Sequence, residues 1–232
     1  MKPLNRKQLA GLQDKLFETK IISYKETAAM SQTLTIEPQH ETALTLNVKS
    51  IGLTEEQFEL LCRDNQDLRI ELSAEGELIL MPPTGTTTGW RNGKIIYQLI
   101  QWAEQDGTGL CFDSSTLFTL PNKAKRSPDA SWIKRDRWDK LTGKEQDGFA
   151  PVCPDFVIEL RSPTDSLSTL QKKMKEYLAL GARLGWLFDP PRKRVYVYRP
   201  GQAVEILEDP ETISGDPELP GFLFRVREIW QP

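Results

Sequence analysis

The sequence predicts an α/β domain, a mixed β-sheet flanked by helices and preceded by a helical arm. Strand-like and helix-like runs alternate in the order β, β, helix, β, β, β, helix, β, β. The length of 232 residues fits one large domain, or one domain plus an arm. Hydrophobic residues make up 38%, enough for a core, and no apolar run is long enough to span a membrane.

The arm comprises residues 1–42. Leu9, Leu12, Leu16 and Phe17 have helical spacing, and residues 24–42 are polar without a period. The domain, 43–232, opens with Thr54 as N-cap of a short amphipathic helix carrying Phe58, Leu60 and Leu61. Leu68 to Leu72 and Glu77 to Met81 read as strands joined by a turn at Ala74-Glu75-Gly76. After Pro82-Pro83-Thr84-Gly85, residues 88–106 form a helix with Ile95, Ile96, Leu99, Ile100 and Trp102 on its apolar side, closed by Gly107. Strand-like runs follow at Leu110 to Phe112, Leu117 to Leu120 and Ala130 to Ile133. Residues 134–150 read as a charged loop with a helical turn at Trp138. Phe156 to Leu160 is a strand, Ser166 opens a helix through Leu180, and Gly181 stops it. Leu184 to Phe188 and Val195 to Tyr198 are strands split by Asp189-Pro190-Pro191-Arg192, and a β-rich tail includes Phe222 to Val226.

Composition excludes several chemistries. His40 is the one histidine and sits in a polar stretch, which argues against serine–histidine triads, histidine-rich zinc sites and HNH-type nucleases. Cys62, Cys111 and Cys153 are odd in number and lack a CxxC pair, which suits a reducing cytoplasm and no disulfide scaffold. Residues 1–20 lack a signal-peptide core. The net charge of −3 provides no global attraction for nucleic acid, so DNA binding needs a local basic surface or a metal ion.

Carboxylates and lysine must therefore carry any hydrolysis. In the strand around Glu159, Phe156, Ile158 and Leu160 share one face, while Asp155, Val157, Glu159 and Arg161 share the other. The competing reading is an edge strand with a wet face. Asp129, after Ser127-Pro128, begins another strand. Two carboxylates on adjacent strands can hold Mg²⁺, an oxygen-seeking ion that polarises phosphate. Asp155 lies four residues from Glu159, about 13 Å along an extended strand, so both cannot bind one ion and Asp155 is read as structural. In the following helix, Leu167, Leu170, Met174, Tyr177 and Leu178 form the buried stripe. Lys172 points away from it, and Lys173 lies at its edge, where the ammonium can reach the carboxylates. Trp132 and Trp186 read as core aromatics. Lys123, Lys125, Arg126, Lys134, Arg135 and Arg137 form the densest basic stretch, a solvated loop by default or a contact for the phosphate backbone.

Asp129 and Glu159, thirty residues apart, resemble the Asp…(Glu-x-Lys) core of PD-(D/E)XK nucleases. Residues 54–207 more closely resemble the Uma-type restriction-endonuclease family, through Gly76-Glu77-Leu78, Met81-Pro82-Pro83-Thr84-Gly85, Ser127 to Trp132, Pro154 to Pro163, Leu170 to Met174 and Gly185 to Pro190. The resemblance implies a restriction-endonuclease-like fold and a Mg²⁺- or Mn²⁺-dependent endonuclease acting on DNA. It implies a homodimer, metal ligands Asp129 and Glu159, and a catalytic lysine displaced to the helix, Lys173. Arg161 stands where Glu-x-Lys has lysine; it is a phosphate clamp or a salt-bridge partner, because arginine does not act as a base. Lys134 and Arg135 are further candidate phosphate contacts. Glu77 is a candidate third metal carboxylate, set against an ordinary surface residue. The alternative function is a catalytically silent nuclease fold that binds DNA or protein.

Overall fold

The structure, a computed structural model, describes residues 43–231, inside the compact unit Gln39–Pro232. The expected helix over residues 5–20, the arm over 1–42 and His40 lie outside the described residues.

Strand β1 (Leu44–Asn47) precedes helix α1 (Glu55–Asp64), the hairpin β2 (Arg69–Leu72) and β3 (Glu77–Met81), and the long helix α2 (Thr86–Asp106). Then come β4 (Gly109–Asp113), β5 (Phe118–Thr119), β6 (Lys125–Arg126), β7 (Ala130–Lys134), and short helices α3 (Arg135–Trp138) and α4 (Gly143–Asp147). Strand β8 (Phe156–Leu160), helix α5 (Leu167–Ala179) and strand β9 (Leu184–Asp189) form a parallel β-α-β unit. Strands β10 (Arg194–Tyr198), β11 (Glu205–Glu208), β12 (Thr212–Ser214) and β13 (Leu223–Arg225) lead to α6 (Arg227–Trp230).

The capping residues act as their chemistry dictates. Thr54 and Gln57 form a reciprocal capping box at α1, and the Ser166 hydroxyl accepts from the Thr169 N–H at α5. Gly76 turns the β2–β3 hairpin at φ +84°, and Gly107 ends α2 at φ +71°, a left-handed region that costs other residues steric strain.

The expected mixed β-sheet flanked by helices is present, with a parallel β8–β9 pair among antiparallel neighbours, and it is one of two main sheets. One has the order β1-β3-β2-β6-β5 and the other β11-β10-β9-β8-β7-β4, with β12 and β13 forming a separate pair. β1, β6, α4 and α6 do not appear in the sequence reading. β1 is exposed along its whole length and α6 is a single turn, so neither leaves a clear periodic signal.

Strand β8 lies between β7 and β9 with all five residues buried, which removes the edge-strand reading. Its alternation divides two cores. Phe156, Ile158 and Leu160 join Ile95, Leu99, Trp132, Trp186 and Phe222 on the α2 side. Val157 joins Met174, Tyr177, Leu187 and Tyr196 on the α5 side. Each fully buried side chain of this size contributes roughly 1.5–3 kcal/mol of transfer free energy.

Helix α5 presses closely on the sheet because β9 offers a glycine there. The Met174 methyl occupies the space that a Cβ at Gly185 would need. Since Lys173 neighbours Met174, that contact sets the height of Lys173 above β8. Gly185→Ala overpacks this interface and should lower stability by about 1–3 kcal/mol in denaturant titration. A variant as stable as the parent would show that Met174 simply swings aside.

Candidate active site

The ladder between β7 and β8 brings the two acidic residues together. Ala130 pairs with Ile158, so Asp129, one residue earlier, comes to the level of Glu159. The Leu160 N–H donates to Asp129 Oδ2 at 2.8 Å, and the Asn92 amide donates to Oδ1 at 3.2 Å. The Asp129 carboxylate is thereby oriented by a strand on one side and α2 on the other.

Lys173 closes the site from α5. Its ammonium lies 2.9 Å from Glu159 Oε1 and 2.8 Å from Glu71 Oε1. Its side chain is only 12% exposed, whereas Lys172 and Lys175 are exposed. Tyr177, one turn on, donates its hydroxyl to Glu159 Oε1 at 3.1 Å. Both donors approach Oε1 of Glu159. Glu71 also accepts from the Ser127 N–H at 2.8 Å and pairs with Arg126 at 3.2 Å, while Arg126 pairs with Glu176 at 2.7 Å. Asp129, Glu159 and Lys173 border a cleft of about 790 Å³ whose other walls include Pro83, Thr86 and Thr164.

Burial is the largest influence on Glu159. Lys173 opposes it, Asp129 and Glu71 reinforce it, and the carboxyl rises to about 7. Burial also raises Asp129, against the Leu160 N–H and Lys173. At Glu71 burial is outweighed by Lys173 and Arg126, and the carboxyl stays below its ordinary value. Burial would lower Lys173, but Glu159 and Glu71 hold its ammonium above the usual lysine range. Burial, then Glu159, keeps the Tyr177 phenol protonated far above its usual range.

The chain matches the family described as "Uma2: Putative restriction endonuclease" over residues 55–227. This chain belongs to the Uma2 family. Membership places it among nucleases of the restriction-endonuclease type. It is also similar to a solved structure described as a "putative nuclease belonging to DUF820" from Anabaena variabilis. The two share 21% identity and a TM-score of 0.60, over 69% of this chain and 89% of that one. That likeness shows the fold. No curated protein matches.

The divalent metal expected from the sequence resemblance can be tested against the donor set. Four carboxylates (Glu71, Asp129, Glu159, Glu176) face two cations, Lys173 and Arg126, an excess of two negative charges when all four are ionised and of one when Glu159 holds a proton. Arg69 and Asp165, which also act on Asp129, add one charge of each sign. The Asn92 Oδ1, beside Asp129, is buried without a partner. Among the described residues no three Asp, Glu, His or Cys side chains are grouped to hold an ion by themselves. Asp129 and Glu159 would thus need a neutral oxygen such as that of Asn92, together with water, which suits Mg²⁺.

Other expected site residues lie elsewhere. Glu77 is exposed at the start of β3, opposite Asn47, and does not border the cleft. The third carboxylate near Lys173 is Glu71, on the other strand of that hairpin. Arg161 pairs with the fully buried Asp189 at 3.0 Å and donates to the Asp165 carbonyl, which makes it a salt-bridge partner. Lys134 and Arg135 sit at the far end of β7, roughly 17 Å from Asp129 along an extended strand, too far to touch the same phosphate. The basic stretch is not a solvated loop throughout. Lys125 is buried and donates to the Thr119 hydroxyl, Arg126 is buried between Glu71 and Glu176, and Arg137 pairs with Asp155. Asp155 also accepts from the Lys134 N–H, so it ties β8 to β7.

Glu71 and Asn92 are absent from the sequence reading. Glu71 carries the same signal as Glu159, a carboxylate within an apolar strand, Ile70-Glu71-Leu72. Asn92 falls on the buried stripe of α2 with Thr88, Ile95, Leu99 and Ala103.

The charge balance gives a pH prediction. Glu159 titrates near 7 in the folded chain and near 4.3 unfolded, so its stabilising effect is complete below about 4.3 and disappears as pH rises through 7. A cation binding the carboxylate must displace that proton. The rise in Tm on adding Mn²⁺ should therefore be larger at pH 8 than at pH 6, and Glu159→Gln should flatten the difference. Equal gains at both pH values in the parent would contradict this.

Proposed function

We propose that the protein is a Mg²⁺-dependent endonuclease that hydrolyses DNA phosphodiester bonds in the cleft beside Asp129, Glu159 and Lys173, with Mn²⁺ able to replace Mg²⁺. The observation that carries the proposal is the buried cluster itself, with more carboxylates than cations and bordering a cleft of about 790 Å³. Family membership supports the reaction class.

When bound, a divalent cation supplies charge neutralisation and Lewis-acid polarisation. Asp129 and Glu159 would hold it, with the Asn92 carbonyl as a neutral donor. The rest is done by the chain. Lys173 and Tyr177 fix Glu159 through Oε1. The Leu160 N–H fixes Asp129. The ammonium of Lys173 sits where it can stabilise negative charge developing on a phosphate, while Glu71 keeps it charged and oriented. Ser127 and Arg126 orient Glu71 in turn. A homodimer, giving two such centres for the two strands of a duplex, belongs to the proposal.

Supercoiled plasmid incubated with Mg²⁺, Mn²⁺ or EDTA tests the reading. Nicking should need the metal; equal nicking in EDTA, or none of any nucleic acid with either metal, would contradict it. The second outcome would favour a silent binding fold.

The lysines give a sharper prediction. Lys173→Ala should lower single-turnover cleavage roughly a hundredfold. It should also destabilise the fold by about 3–5 kcal/mol unless the carboxylates take up protons, because it strands Glu71 and Glu159. Lys172→Ala should stay within about 0.5 kcal/mol of the parent and cleave like it. Similar effects at both positions would reduce the lysines to diffuse charge.

A further inference from the structure

The residues expected to hold phosphate, Arg161, Lys134 and Arg135, are either paired elsewhere or distant from the cleft. One cation does border it without a carboxylate partner, Arg69. We propose that Arg69 is the phosphate-binding residue of this site, holding a phosphodiester beside the acidic cluster. The inference deepens the nuclease reading and rests on it for the identity of the polymer.

Arg69 opens β2, two residues before Glu71. Ile70 and Leu72 turn to the core with Phe58 and Leu78, so Arg69 and Glu71 share the opposite face. Arg69 thus stands roughly 7 Å along the strand from the carboxylate that anchors Lys173. Its Nη2 donates to the Ser114 carbonyl at 2.8 Å, which fixes the side chain. Its Nε–H is buried with no partner. An unsatisfied buried donor costs about 1–3 kcal/mol, more on a charged group. Among the described residues Arg126, Arg137, Arg161, Arg199 and Lys173 all reach a carboxylate within 4.0 Å, and Arg69 does not.

A planar guanidinium with one N–H held and others available suits a tetrahedral oxyanion, which can take two parallel N–H bonds. The acidic cluster repels anions, so a phosphate resting here needs a counter-charge that the cluster does not already consume. Lys173 is taken by two carboxylates. Arg69, which acts on Asp129 only at longer range, is the positive group at the cleft with no carboxylate within 4.0 Å, and the first turn of α2, at Thr86 to Thr88, lines the same cleft with its positive helix end.

Inorganic phosphate is a probe that does not depend on catalysis. In EDTA, phosphate at millimolar concentration should raise the Tm of the parent and of the exposed control Arg183→Ala. It should leave Arg69→Ala and Arg69→Gln unshifted, with Arg69→Lys intermediate. The Tm of each variant in EDTA without phosphate, which should stay close to the parent's, guards against misfolding. With a DNA duplex in Ca²⁺, Arg69→Gln should weaken affinity about tenfold and lower the slope of log K against log salt by about 1, while Mn²⁺ should bind no more weakly than to the parent, since a positive charge near Asp129 is removed. No phosphate shift in the parent, or an equal shift in the Arg69 variants, would overturn the assignment whatever plasmid assays give. A shift that depends on Arg69 without any cleavage would keep the phosphate site and remove the nuclease reading. A phosphate shift without the change in DNA slope would assign the site to a small phosphate ester and overturn the polymer contact.

Discussion

The Lys173 ammonium, shared between Glu71 and Glu159, is the contact on which the rest of the site depends. It joins helix α5 to a strand of each main sheet, β2 through Glu71 and β8 through Glu159. Taking three charges out of water costs several kcal/mol per ion, and their attraction returns that only when the geometry is good and the remaining lone pairs are satisfied. The surroundings meet that condition, through the Ser127 N–H, Arg126 and the Tyr177 hydroxyl. Losing Lys173 leaves Glu159 with no cation beside it and Glu71 with Arg126 alone, so the cluster depends on that ammonium.

A fold needing only stability would do as well with apolar side chains at these positions. What the ions provide is a directed, incompletely neutralised site. The surplus negative charge can be relieved by a proton, most readily at Glu159, or by a divalent cation. Under the proposed function a cation at this site would compete with that proton for Glu159, which would couple metal affinity, stability and pH. Asn92 and Arg69 mark the two sides of that surplus. One offers an unpaired oxygen beside Asp129, and the other, a residue lining the cleft, keeps a buried, unpaired Nε–H.

Much of the fold was legible because local rules governed it. Thr54 and Ser166 cap helices by donor satisfaction, Gly76 and Gly107 supply positive φ, and the alternation in Phe156 to Leu160 reports a strand whose two faces are differently covered. The helical phase of α5 separates Lys173 from Lys172 with no tertiary information. The remainder depends on contacts far apart in sequence. Glu71 reaches Lys173 across 102 residues, and its place between Ile70 and Leu72 marks it as buried without saying which cation it meets. The basic stretch misled for the same reason. Whether Arg126 meets solvent or two carboxylates depends on where β2 and α5 pack. Arg161 is on the expected face of β8, but the buried Asp189 at the end of β9 captures it.

The central claim is that this cluster is a cation site built on Asp129 and Glu159. Calorimetric titration of Mn²⁺ into the parent, Asp129→Ala and Glu159→Gln at pH 8 tests it most directly. The account predicts one ion per chain in the parent and loss of binding in both variants, with the fold retained. Unchanged affinity in either variant, or no binding in the parent, would contradict it.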